Sequence, residues 1–116
     1  MRIFLSGKMS GLPFMGFPAF HEAATKLRAQ GHEVYSPAER DLRVFGSDFA
    51  STNYAGDVSQ AERDFGFSYR DAMADGLLWI CEQAEGIAAL PGWKTSRGAK
   101  AEVATAMALG LEVIEL

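Results

Sequence analysis

Short apolar runs alternate along the chain with longer stretches of helical period. RIFLS (2–6) is apolar and closed by Gly7, which predicts a buried strand. GKMSGLPFMGFP (7–18) is rich in glycine and proline and reads as loop. From Pro18 to Gln30 the period turns helical: Phe20, Ala23, Ala24 and Leu27 share one face, and Gly31 stops the helix. EVYSP (33–37) reads as a second short strand ended by Pro37, and GIAAL (86–90) as a third. Residues 97–109 predict a helix with Ala99, Val103, Ala106 and Met107 on one side, ended by Gly110. LEVIEL is the last strand.

Two stretches are less regular. In 38–66, AERDLRVFG suits a helical turn or two, while SDFASTNYAGDVSQ is polar and small. The segment is expected to be an excursion rather than core, or a lid, since so long a structureless loop is uncommon in a compact domain. FSYRDAMADGLLWICEQAE (67–85) is helical but carries Asp75-Gly76 in its middle. A glycine in a helix interior costs roughly 1 kcal/mol. A break is therefore expected, with Asp75 capping a new helix over 76–84. On one unbroken helix, Met73, Leu77, Ile80 and Ala84 face the core instead, and Asp71, Asp75 and Glu82 point to solvent.

Strands separated by helices need crossover connections, so the sheet is expected to be parallel with helices on both faces. The fold class is α/β: one domain over residues 1–116, a small doubly wound, flavodoxin-like sheet of four or five strands in the order 2-1-3-4. In such sheets ligands bind beyond the carboxyl ends of the strands, where the winding reverses. That point lies between the first and third strands, whose exit loops are SGKMSGLP and LPGWKTSRG.

Composition narrows the partners. A net charge of −4 gives no basic footprint for nucleic acid and no electrostatic reason to sit on anionic lipid. No run approaches the ~20 apolar residues of a membrane span, and no signal-peptide pattern is visible at MRIFLSG. The single cysteine, Cys81, suits a reducing compartment, and a cytoplasmic location is expected. Cys81 with His21 and His32 has no zinc-like spacing, so neither metal nor cofactor is expected.

The two exit loops collect groups that suit an anionic, sugar-bearing ligand. Gly7 and Gly11 let backbone approach a ligand, and Lys8 and Ser10 add donors. Ser96, Arg97 and the free N–H groups of Gly98 and Ala99 open a helix, where half a positive charge and unpaired donors suit a phosphate. SGK lacks the spacing of a P-loop. Glu102 lies one to two turns into that helix, in line with Gly98 and Ala106, small residues that leave it room to reach the crevice. The positive helix end is expected to keep its carboxylate ionised for attack on an electrophilic sugar carbon. Trp93, after a Pro-Gly turn, suits either stacking on a base or a subunit contact. Phe14 can wall a base, whereas Phe20 reads as core.

SGKMSG, LPGWKTSRGAKAE and ALGLEVI together resemble the nucleoside 2-deoxyribosyltransferase superfamily, nearest to its small phage-associated branch and related to the 2′-deoxynucleoside 5′-phosphate N-hydrolases. The resemblance covers residues 1–37 and about 71–116, and Ser96, Gly98 and Glu102 are its most specific part. It implies cleavage of the N-glycosidic bond of a (deoxy)nucleoside 5′-monophosphate, by hydrolysis or base transfer. Glu102 falls on the nucleophile that bonds to C1′, Ser96 on a phosphate-contacting serine, and Gly7, Lys8, Met9, Ser10 and Gly11 on the loop that wraps the nucleotide. A second carboxyl comes from the helix before the third strand. There the register lands on Gly76, which makes Asp75 the first candidate and Asp71 the other. The resemblance also implies a homodimer or higher oligomer. Two alternatives stand beside catalysis: a non-catalytic nucleotide-binding module, and an NAD-derived ligand.

Overall fold

The computed structural model describes all 116 residues. Four parallel strands, β1 (Arg2–Ser6), β2 (Glu33–Tyr35), β3 (Gly86–Ala89) and β4 (Glu112–Glu115), form one sheet in the order β2-β1-β3-β4. Helix α1 (Phe17–Ala29) crosses from β1 to β2, and α6 (Arg97–Ala108) from β3 to β4. Alternation along the central strands splits the core into two. Ile3, Leu5 and Ala88 pack with Phe17, Phe20, Ala24 and Leu27 of α1. Phe4, Ile87 and Ala89 pack on the other face with Ile80, Val103 and Ala106. This is the doubly wound arrangement that the strand-helix alternation predicts.

Residues 38–66 depart from expectation. They fold into helices α2 (Pro37–Phe45), α3 (Asp48–Ser51) and α4 (Val58–Phe65), and they add buried Ala38, Phe49, Ala50 and Ala61 to the α1-side core. Phe49 is the hub, with ring centroids 4.9 Å from Phe45, 5.3 Å from Phe65, 5.6 Å from Phe67 and 6.0 Å from Phe17. The segment adds no strand, but it is core as well as excursion.

Helix α5 (Tyr69–Glu82) also corrects a prediction: it runs unbroken through Asp75-Gly76. Its cap is Ser68, whose Oγ accepts from Asp71 N at 3.1 Å. Gly76 is buried where α5 crosses the sheet. A Cβ there would stand 3.2 and 3.3 Å from the Phe4 ring and 3.7 Å from Glu102 Oε2. Close helix-on-sheet packing thus outweighs the local propensity for a break. With the helix continuous, Asp71, Asp75 and Glu82 are all exposed. No helix is long and apolar enough to cross a membrane.

A candidate active site at the strand exits

A cavity of about 450 Å³ opens where the sheet reverses its winding, at the carboxyl ends of β1, β2 and β3. Its size suits a small-molecule ligand. The loop after β1 supplies Gly7, Lys8, Met9 and Ser10, and the head of α6 supplies Ser96, Arg97, Gly98 and Glu102. The two loops singled out in the sequence therefore meet in one place.

Glu102 forms the buried acidic part of the wall. It is 8% exposed and accepts a hydrogen bond from Ser6 Oγ at 2.6 Å. Ser6 is the last residue of β1, on the same face as Phe4. Glu102 Oε2 makes no hydrogen bond to protein and so remains for a ligand. Burial raises the Glu102 carboxyl to about 7, against the opposing pull of the Ser6 hydroxyl. This corrects the expectation of a fully ionised group: Glu102 is the sixth residue of α6, beyond the first turn where the positive helix end acts, and desolvation dominates.

At the head of α6, Ser96 Oγ accepts from Ala99 N at 3.2 Å, which caps the helix and leaves the serine proton free to be donated. The first N–H groups of a helix have no intrahelical acceptor, so those of Arg97 and Gly98 remain for an anion. α5 packs against Gly98: a Cβ there would stand 2.8 Å from Tyr69 Oη and 3.4 Å from Met73 Sδ, the ends of side chains that would have to shift. Lys8 and Arg97 add positive charge to the same wall.

Five of the predicted residues lie outside the cavity lining. Gly11 is exposed at the far end of the loop after β1, where its N–H donates to the Gly56 carbonyl at 2.8 Å. Trp93 sits at the β3–β4 exits, its Nε1 donating to Glu115 at 3.0 Å and Lys94 lying over its ring at 5.7 Å. It borders a separate pocket of about 270 Å³. Asp71 is an exposed residue in the first turn of α5. Asp75 is also on the outer side of that helix, and its carboxylate is taken by Arg40, at 3.0 Å from Nε and 2.9 Å from Nη2. Phe14 likewise lies outside the lining, its ring against Tyr54.

The sequence reading missed the third strand exit. Tyr35 at the end of β2, then Pro37, Arg40 and Asp41 on α2, all line the cavity. Arg40 is 8% and Asp41 3% exposed, and Arg40 Nη1 donates to Asp41 Oδ1 at 3.0 Å. Burial pushes the Asp41 carboxyl up to about 6, although the Arg40 guanidinium pulls it down. The signal was present in AERD directly after Pro37, because every parallel strand delivers its exit to the same sheet edge. Tyr35, stacked at 5.1 Å on the fully buried Phe4, adds aromatic surface to the wall.

Fold and site together define a small doubly wound α/β domain whose strand exits enclose a cleft with two buried carboxyl groups. The chain belongs to the family described as a domain of unknown function (DUF4406), which matches residues 1–115. No curated protein and no solved structure matches it.

Proposed function

We propose that the protein cleaves the N-glycosidic bond of a (deoxy)nucleoside 5′-monophosphate, with Glu102 attacking C1′. The observation that carries this reading is Glu102 itself: a buried carboxyl, held through one oxygen by Ser6 and open through the other to a cavity of ligand size. Attack by a positioned carboxylate forms a glycosyl-enzyme, as in retaining glycoside hydrolysis, and water or a second base then releases the sugar. Ser96, Lys8, Arg97 and the open N–H groups of α6 supply the anion-binding end for a 5′-phosphate. The resemblance to the nucleoside 2-deoxyribosyltransferase superfamily points the same way.

Incubation with a panel of nucleosides, their 5′-monophosphates and NAD, with free base followed by chromatography, tests this directly. Release of base from a monophosphate supports the reading; no release from any member of the panel refutes it. Ser96→Ala is expected to lower kcat/KM for the monophosphate about tenfold and to change the value for the matching nucleoside far less, since only the former has a phosphate to lose. Loss of the α6 cap, about 1 kcal/mol of stability, acts equally on both substrates. Equal losses of activity would remove the phosphate assignment.

A second reading, a nucleotide-binding module without turnover, is favoured by the exclusion of Asp71 and Asp75 from the cavity lining. Tight nucleotide binding by a protein that releases no base selects it. A homodimer belongs to the same proposal: Leu78 on α5 and Met107 on α6 are 57% and 65% exposed, apolar surface that a second copy would cover. Light scattering of the purified chain measures its mass.

A further inference from the structure

Two carboxyl groups are needed for the chemistry proposed above, one to attack C1′ and one to handle protons on the leaving base and the incoming water. Only two acidic residues line the cavity, Glu102 and Asp41. The helix acids to which the resemblance directs attention, Asp71 and Asp75, do not.

Asp41 has the setting of a proton-handling group. It is 3% exposed, and Arg40 Nη1 fixes its Oδ1 at 3.0 Å, while its Oδ2 has no protein partner. Arg40 is anchored in turn by Asp75, whose Oδ2 accepts from Nε at 3.0 Å and lies 2.9 Å from Nη2. The order of support thus runs from α5 through the guanidinium to α2. Tyr35, half-buried and stacked on the fully buried Phe4, lines the same cavity beside this cluster and offers aromatic surface to a planar base. Resting on the N-glycosidase reading, we infer that Asp41 is the acid–base residue of this site, with Arg40 and Asp75 as its positioning residues.

The reacting form has Glu102 ionised and Asp41 protonated, the minor arrangement of one proton between two carboxyls of which burial raises Glu102 further. In the first half-reaction, the Glu102 carboxylate forms a bond to C1′ as the C1′–N bond breaks. The electron pair of that bond leaves with the base, and the Asp41 proton goes to a ring nitrogen of the base. In the second, a water oxygen bonds to C1′, and the ester bond to Glu102 breaks with its electron pair returning to the carboxylate. Asp41 takes the proton of the water and is reset. The sum is nucleotide plus water giving free base plus sugar phosphate.

A base that already carries its positive charge leaves without a proton, and this separates the role of Asp41 from general damage. The probes are 2′-deoxyguanosine and 2′-deoxycytidine 5′-monophosphates, each beside its ring-methylated cation (N7-methyl and N3-methyl). Base release is measured with enzyme in excess, so that only the first half-reaction is read. Asp41→Asn is expected to slow release of the unmodified base about 100-fold or more and to leave release of the methylated base within a few-fold of wild type. A folding defect lowers both rates alike, so the ratio carries the test. Asp75→Asn, which leaves the Asp41 carboxyl in place but removes an anchor of Arg40, is expected to shift the ratio in the same direction by only a few-fold. Equal loss on both substrates in Asp41→Asn, or a ratio change in Asp75→Asn as large as that in Asp41→Asn, overturns the assignment alone. A wild-type protein inert on every nucleotide overturns the N-glycosidase reading and this assignment with it.

Discussion

Glu102→Gln is expected to lose base release by several orders of magnitude and, at pH 8, to be more stable than the wild type. An amide is no nucleophile toward C1′, which accounts for the activity. The stability follows from proton linkage. Burial raises the Glu102 carboxyl from 4.5 to about 7, so between these values the folded chain holds a proton that the unfolded chain has released. The contribution of this group is complete below about 4.5, declines as pH rises through about 7, and is gone above it. The full swing is about 3 kcal/mol. Gln carries no charge at any pH, and its Oε1 can still accept the Ser6 hydrogen bond. The variant therefore gains up to about 3 kcal/mol over wild type at pH 8 and close to nothing at pH 4. Asp41, also raised by burial, to about 6, adds a decline of the same sign that both proteins share. Urea denaturation at pH 4, 6 and 8 measures the difference. A stability difference that does not change with pH would show that Glu102 is not desolvated as described.

Gly56→Ala is expected to cost about 2 kcal/mol or more and to loosen the loop after β1. Gly56 has a φ of +66°, and a Cβ there would land on the Leu12 carbonyl oxygen and lie 2.7 Å from Leu12 N and 2.9 Å from Gly11 N. These are backbone atoms, so no rotamer change relieves the clash. The contact is the hinge between residues 52–57 and the loop after β1. Gly11 N donates to Gly56 O at 2.8 Å and Phe14 N to Asn53 O at 3.0 Å. Asn53, 1% exposed, holds the turn by pairing its amide with the N–H and C=O of Asp57, each at 2.9 Å. Lys8, Met9 and Ser10 thus owe their position to a segment distant in sequence. KM for the nucleotide is expected to rise roughly tenfold, as the backing of the loop is lost. Gly66→Ala provides the comparison: φ there is +72° with nothing within 4 Å, so only the backbone cost of about 1 kcal/mol applies. Thermal unfolding and steady-state kinetics of the two variants check both values. A Gly56→Ala protein that melts and binds like Gly66→Ala would show that the loop is not set by this contact.

The sheet was readable because each strand is a short apolar run closed by a turn residue, and because helices between strands leave few topologies. The aromatic cluster around Phe49 was not. Phe45, Phe49, Phe65 and Phe67 belong to different short elements, and none of these is long enough to show a period by itself. Asp75-Gly76 misled for the opposite reason: a strong local signal was overridden by the Phe4 ring, distant in sequence but in contact across the helix–sheet interface.

At the site, topology located the crevice, and Glu102 with the α6 head followed from it. Ser6 was hidden at the end of an apolar strand, and Arg40 and Asp41 lay in a segment whose polarity suggested solvent. Charges that pair with one another in a cavity wall carry the same composition as charges on a solvated face. Only the fold distinguishes the two.

The most direct measurement is mass spectrometry of the protein quenched during reaction with a 2′-fluoro-substituted nucleoside 5′-monophosphate, in which fluorine slows release of the sugar from the enzyme. A sugar-phosphate adduct on the α6 peptide, mapped to Glu102, is the predicted result. Release of base with no adduct, or an adduct on any other residue, would contradict a glycosyl-enzyme at Glu102.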